Sequence, residues 1–123
     1  MISAEQNELM TRIGPGTPAG KLLRNYWQPV ALVDELEGNR PVKAVRVLGE
    51  DLVLYRAGNG FSLIQRHCPH RGADLAYGRL EPDGLRCSFH GWKFATGGQC
   101  VETPAEPEGS RLCEHIKTVA YPV

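Results

Sequence analysis

The chain has 123 residues, 41% of them hydrophobic, and a formal net charge of +0 at pH 7. That length allows one domain with a modest core, and the balanced charge excludes the basic face that nucleic-acid binding or a polybasic membrane anchor would need. No apolar run approaches the ~18 residues of a membrane span, and the opening M-I-S-A-E-Q-N-E lacks the basic start and apolar block of a secretion signal.

Residues 1–27 read as helical. Ser3 with Gln6 has the spacing of a capping box, and Leu9 and Ile13 sit one turn apart. Gly14-Pro15-Gly16 should stop that helix. Thr17 then caps a second short one, with Pro18 at its first position. Leu22, Leu23, Tyr26 and Trp27 are expected on its buried side. From Pro29 the pattern turns to strands, with short β-type runs over 30–33, 42–48, 52–56 and 61–65. Gly38-Asn39, Gly49-Glu50-Asp51 and Gly58-Asn59-Gly60 separate them as turns. Short strands at regular spacing predict an all-β fold, a small antiparallel sandwich or barrel. Residues 103–109 read as a loop and 116–121 as a last strand.

The chemistry lies between Arg66 and Phe94. Here stand R-H-C-P-H-R-G-A-D-L and L-R-C-S-F-H-G-W-K-F, which hold two mixed pairs, Cys68/His70 and Cys87/His90. The spacing is C-x-H, sixteen residues, then C-x-x-H. Four cysteines in a chain with no export signal point to metal rather than disulfides, and to the reducing cytoplasm. In a [2Fe-2S] cluster of mixed ligation, two thiolates bind one iron and two imidazoles the other. Each loop must then hand one ligand to each iron, which a mixed pair can do if the loops lie side by side. Cys68 and His70, two apart, would leave one face of an extended segment, whereas Cys87 and His90, three apart, suit a turn. Gly72 and Gly91 follow the histidines closely and mark tight loops. A tetrahedral zinc site of two cysteines and two histidines is the rival, although zinc fingers usually pair like with like at wider spacing. Cys100 and Cys113 lie outside any C-x-x-C pair and read as buried thiols. His67 should face away from the site, and His115 should be exposed.

The two boxes, C-P-H-R-G-A-D-L and C-S-F-H-G-W-K-F, resemble the cluster-binding boxes of Rieske proteins. Specifically, they resemble those of the oxygenase component of Rieske non-haem iron oxygenases, of the phthalate dioxygenase and vanillate demethylase kind. G-P-G-T-P-A-G, N-Y-W-Q-P-V, L-G-E-D-L-V-L-Y-R and the closing A-Y-P-V resemble the amino-terminal domain of the same subunits. The resemblance implies a small antiparallel β-sandwich of Rieske type, with a cluster-binding subdomain at one end. A helical segment over 1–28 would precede a Rieske domain over 29–123, with cluster loops at about 66–94.

It further implies a Rieske [2Fe-2S] cluster on Cys68, His70, Cys87 and His90, reduced by a reductase or ferredoxin. The electron would pass to the mononuclear iron of an oxygenase catalytic domain, supplied by a neighbouring subunit in trimers. His90 would meet a carboxylate leading to that iron, Trp92 would shield the cluster, and Arg66 and Arg71 would dock a partner. The high-potential respiratory members carry a disulfide and a hydroxyl donor where this chain has Ala73, Phe89 and Trp92. A potential at the low end of the Rieske range, about −150 mV, is therefore expected. Only His67 and His115 remain for a two-histidine, one-carboxylate iron, and neither has H-x(3–5)-H spacing. The expectation is thus an electron-transfer domain without its own catalytic centre. A free-standing Rieske ferredoxin and a structural zinc module are the alternatives; the helical preface argues against the first.

Overall fold

The computed structural model describes residues 1–123. Two compact units divide the chain, one formed by Met1–Ala31 with Arg46–Glu50, the other by Leu32–Val45 with Asp51–Val123.

In the first unit the capping box is present. The Ser3 hydroxyl accepts the Gln6 backbone N–H at 3.2 Å, and the Gln6 side chain accepts the Ser3 backbone N–H at 2.8 Å. Helix α1 (Ala4–Thr11) follows, and it ends before Gly14, because Arg12 is already extended at φ −77° and ψ 103°. Helix α2 (Pro18–Leu23) starts as its sequence requires, with the Thr17 hydroxyl accepting the Gly20 N–H at 3.1 Å.

The expected burial of Tyr26 and Trp27 is overturned: they are 65% and 79% exposed, and Leu22 is exposed as well. The reason lies on the opposite side of α2. Its close-packed face is Gly20, where a Cβ would stand 2.3 Å from the Gly14 carbonyl oxygen. Polar contacts tie this unit together. The Arg24 guanidinium donates to the carbonyls of Ile13, Gly20 and Leu48 at 3.0, 3.0 and 3.1 Å, and to the Glu50 carboxylate at 2.6 Å.

Two four-stranded sheets carry the β structure. The first has the order β1-β2-β3-β8, from β1 (Val42–Val47), β2 (Glu50–Ala57), β3 (Gly60–Gln65) and β8 (Ala120–Tyr121). β2 and β3 form an antiparallel hairpin in register from Leu52↔Gln65 to Ala57↔Gly60, closed by the left-handed Gly58. The strand expected over 30–33 does not form. Val33–Leu36 is instead a 3₁₀ turn, whose preceding Leu32 N–H is taken by the Glu35 carboxylate at 2.8 Å rather than by a neighbouring strand. Within 116–121 only Ala120–Tyr121 pairs as a strand, against β3.

The second sheet was not evident in the sequence. It has the order β4-β5-β6-β7, from β4 (Arg79–Glu81), β5 (Gly84–Arg86), β6 (Lys93–Ala95) and β7 (Cys100–Glu102). Leu80 pairs with Leu85, Leu85 with Phe94, and Phe94 with Cys100, so one face carries an apolar row. Arg79, Arg86, Lys93 and Glu102 form the row one residue along, on the other face. The apolar row joins Val53, Tyr55 and Ile64 of the first sheet, with Leu75, Cys68, Cys87 and Trp92, in one buried core of the second unit. The fold is the all-β, antiparallel two-sheet architecture that the short strands predicted. No helix is long and apolar enough to cross a membrane.

Candidate metal centre

The four candidate ligands stand on two loops of matching construction. In the first, the Cys68 N–H donates to the Ala73 carbonyl at 2.8 Å, and the Gly72 N–H to the Cys68 carbonyl at 2.8 Å. In the second, the Cys87 N–H donates to the Trp92 carbonyl at 2.8 Å, and the Gly91 N–H to the Cys87 carbonyl at 3.1 Å. Each loop closes through a glycine four residues after its cysteine, left-handed at φ +72° for Gly72 and +75° for Gly91. Cys68 and His70 therefore sit in a turn and not in an extended segment, which corrects the expectation for that pair. The second loop is the tip of the β5–β6 hairpin.

Each loop is braced by an arginine just before its cysteine. Arg66 grips Asp74 across the base of the first loop, its Nη2 at 2.6 Å and its Nε at 3.0 Å from the carboxylate. Asp74 is held well below its usual carboxylate range, first by Arg66, against a smaller opposing effect of burial. Arg86 donates through Nη1 to the Gly91 carbonyl at 2.8 Å. Of the two arginines expected to dock a partner, Arg66 is thus committed to a clamp, while Arg71 is exposed.

The thiols are buried, with Cys68 only 3% exposed and Cys87 4%. Burial pushes the Cys68 thiol up to about 11, and the neighbouring Cys87 adds to the rise. The imidazoles of His70 and His90 meet edge to face, their centroids 4.5 Å apart. Burial first, then His90, lowers the His70 pKa, which favours the neutral ring that a metal ligand must be. His70 Nδ1 is buried and has no hydrogen-bond partner. An orphaned ring nitrogen of this kind is costly unless something outside the chain takes it up, and a metal would do so. Thiol beside thiol and imidazole beside imidazole is the donor set of a dinuclear cluster with split ligation. The residues fit such a group.

The surroundings close the site. Trp92 is buried and stacks on His70 at 4.4 Å and 9° between planes. Phe89 packs on His90 at 3.9 Å and is 62% exposed. A third segment, the expected loop after β7, brings Pro104 against Gly91, where a Cβ would meet the proline Cγ at 3.2 Å. From the same loop, Glu106 acts on the charge of His70. His115 is exposed, as expected; His67 is exposed too, but its Nδ1 lies 3.3 Å from the Gly72 carbonyl oxygen of the first loop.

Sequence reasoning missed two features. Cys100 and Cys113 are neighbours: burial and the Cys113 thiol push Cys100 up to about 12, and the Thr103 hydroxyl lies 3.2 Å from the Cys113 sulfur. The spacing gave no sign of this pair, since thirteen positions separate them. The second is the ionic row across the second sheet. Lys93 is buried yet bonded to Glu81, Asp83 and Glu102 at 3.1, 2.7 and 3.2 Å. R-L-E-P-D-G-L-R, with P-D-G as a turn between two short alternating runs, was the available signal.

The site and fold describe an iron–sulfur electron-transfer domain. Residues 26–120 match the Rieske [2Fe-2S] domain. The chain is 51% identical, over 100% of its own length and 30% of the relative's, to the 5,5'-dehydrodivanillate O-demethylase oxygenase subunit of Sphingobium sp. strain NBRC 103272 / SYK-6. It is 41% identical, over 98% of its length and 28% of the relative's, to the phthalate 4,5-dioxygenase oxygenase subunit of Pseudomonas putida. Among solved structures, NdmA of Pseudomonas putida CBB5 superposes with a TM-score of 0.75 and 34% identity, covering 83% of this chain and 32% of that one. The chain belongs to the Rieske [2Fe-2S] family, and its cofactor is the Rieske cluster. It spans less than a third of the length of these curated relatives.

Proposed function

We propose that this chain is the electron-transfer domain of a Rieske oxygenase or demethylase subunit, with Cys68 and Cys87 on one iron and His70 and His90 on the other. The two matched loops carry this reading, because they bring the ligands together as like pairs and leave a buried imidazole nitrogen without a partner on the chain. When bound, the cluster supplies a one-electron couple.

The chain's own residues hold it and shape access to it. Ligation through one nitrogen leaves each imidazole a second N–H for a hydrogen bond. Trp92 covers His70 and keeps water from that side. Phe89 leaves an apolar surface beside His90; there His90 would meet a carboxylate of a neighbouring subunit on the way to the mononuclear iron. The donor is a reductase or ferredoxin that meets the domain near Arg71, the setting is the cytoplasm, and the substrate of the parent oxygenase is aromatic or similarly apolar. Residues 1–28 form a helical preface to the Rieske domain proper, over 29–123.

The test is reconstitution of the chain with ferrous iron and sulfide. Iron and acid-labile sulfide in equal amounts, with the visible absorption of a mixed-ligand cluster, are the expected result. Cys68→Ser and His90→Ala should each abolish that absorption. Full iron and colour in either variant would refute the ligand assignment, and one zinc in a colourless protein would refute the function.

A further inference from the structure

The ionic row of the second sheet has no role in the ligand set, yet one of its members reaches the ligand loop. Arg79, Arg86 and Lys93 stand side by side on three adjacent strands, with Glu102 opposite Lys93 on the fourth. Three cations in direct register repel one another unless carboxylates come between them. Glu81 supplies most of that: it bonds Arg79 at 2.7 Å, Arg86 at 2.7 Å and Lys93 at 3.1 Å. Arg86 spends Nε and Nη2 on Glu81 and Glu102, at 2.7, 3.1 and 2.5 Å. Its remaining nitrogen, Nη1, points the other way and holds the Gly91 carbonyl.

We propose that Arg86 is a positioning residue for the second ligand loop, setting through the Gly91 carbonyl how firmly the Cys87–His90 turn grips the cluster. The inference rests on Cys87 and His90 being ligands. A guanidinium is a rigid planar fork, so carboxylates that fix one edge also fix the direction of the other. Lys93 pins Glu81 and Glu102 in turn, and the carboxylates cannot follow the loop outward. Gly91 immediately follows His90, and its N–H is already committed to the Cys87 carbonyl. Holding its carbonyl therefore fixes both peptide units that flank Gly91, on the exit side of His90. In the first loop, Arg66 takes an aspartate side chain at the base instead, and the equivalent Gly72 carbonyl is met by the exposed His67 ring at 3.3 Å, without a guanidinium held by carboxylates.

The experiment compares Arg86→Gln, Arg86→Lys and Lys93→Met with the unaltered cluster-loaded chain. It reads cluster release to an iron chelator, the electron paramagnetic resonance g-values of the reduced form, and the melting temperature. Losing one charged hydrogen bond should speed cluster release by Arg86→Gln about tenfold and shift the g-values. Arg86→Lys should also release faster, because one ammonium cannot serve both Glu81 and the Gly91 carbonyl. Lys93→Met should lower the melting temperature and speed release by less than Arg86→Gln, because the carboxylates it pins still hold Arg86 but less firmly. Release by both Arg86 variants within about twofold of the unaltered chain overturns the proposal. So does Lys93→Met matching Arg86→Gln, since general loosening of the sheet would then suffice. If Arg86→Gln fails to fold, Arg86→Lys decides the matter alone. An unaltered chain that binds no iron and sulfide overturns the ligand reading, and this inference with it.

Discussion

The two loop glycines offer a controlled comparison. Gly72 and Gly91 occupy the same place in matching turns, at φ +72° and +75°. Alanine at either must adopt the left-handed conformation, at about 1 kcal/mol. Their surroundings differ. Nothing lies within 4 Å of a Cβ at Gly72, whereas a Cβ at Gly91 meets Pro104 Cγ at 3.2 Å and Cδ at 3.7 Å. A proline ring cannot swing away as a flexible side-chain end could, so Gly91→Ala pays a further overpacking cost of about 1 kcal/mol. For a domain of this size, each kcal/mol lowers the melting temperature by about 4 °C. Gly72→Ala should thus lose about 4 °C and Gly91→Ala about 8 °C in thermal unfolding of the cluster-loaded chain. Adding Pro104→Ala to each background completes a cycle in which the effect of proline on the unfolded chain cancels. It should recover about half the loss in the Gly91→Ala chain and none in the Gly72→Ala chain. Equal losses for the two glycines, or no recovery with Pro104→Ala, would refute the packing of the 103–109 loop on the second ligand turn.

Three further outcomes are expected. A redox titration should give a midpoint near the low end of the Rieske range, about −150 mV, because the loops hold free thiols only and Trp92 offers no hydroxyl; a value well above zero would refute this. Asp74 is depressed by Arg66, so its contribution to stability is present above its unfolded pKa and fades as pH falls through the lower folded value. Asp74→Asn should therefore destabilise the chain at neutral pH and flatten the acid side of its stability curve, below about pH 4, in denaturant titrations. Cys100→Ser and Cys113→Ser should leave the visible spectrum unchanged, because neither thiol stands on the two ligand loops; bleaching in either variant would place them in the ligand set.

How legible each part was follows from the range of the interaction that builds it. The helix starts at Ser3 and Thr17 were readable because a cap is a contact across three residues. The β2–β3 hairpin was readable because two alternating runs flank a Gly-Asn-Gly turn. The ligand boxes were readable because Cys68 and Gly72, like Cys87 and Gly91, are partners within one turn. The exposure of Tyr26 and Trp27 is not legible, because aromatic character suggests burial while glycine makes the real packing face. The second sheet escaped notice because each of its strands has three residues, too few for a period to register. Its lysine and arginine carry no signal of their pairing in the sequence, since only the strand register reveals the carboxylates that neutralise them.

That difference in range also separates the two ligand loops. Locally they are one turn made twice, from a cysteine, a left-handed glycine four residues on, and the same pair of backbone hydrogen bonds. Their supports are unlike. The first is clamped by residues 66 and 74, a contact that travels with its own stretch of chain. The second depends on Arg86, and through it on carboxylates of β4 and β7, and on Pro104 from beyond β7. Loosening of the second sheet reaches the backbone beside His90 through Arg86 and Pro104, and reaches His70 through the Trp92 ring stacked on it. The histidine proposed to hand on the electron is the one whose placement is set by the rest of the fold.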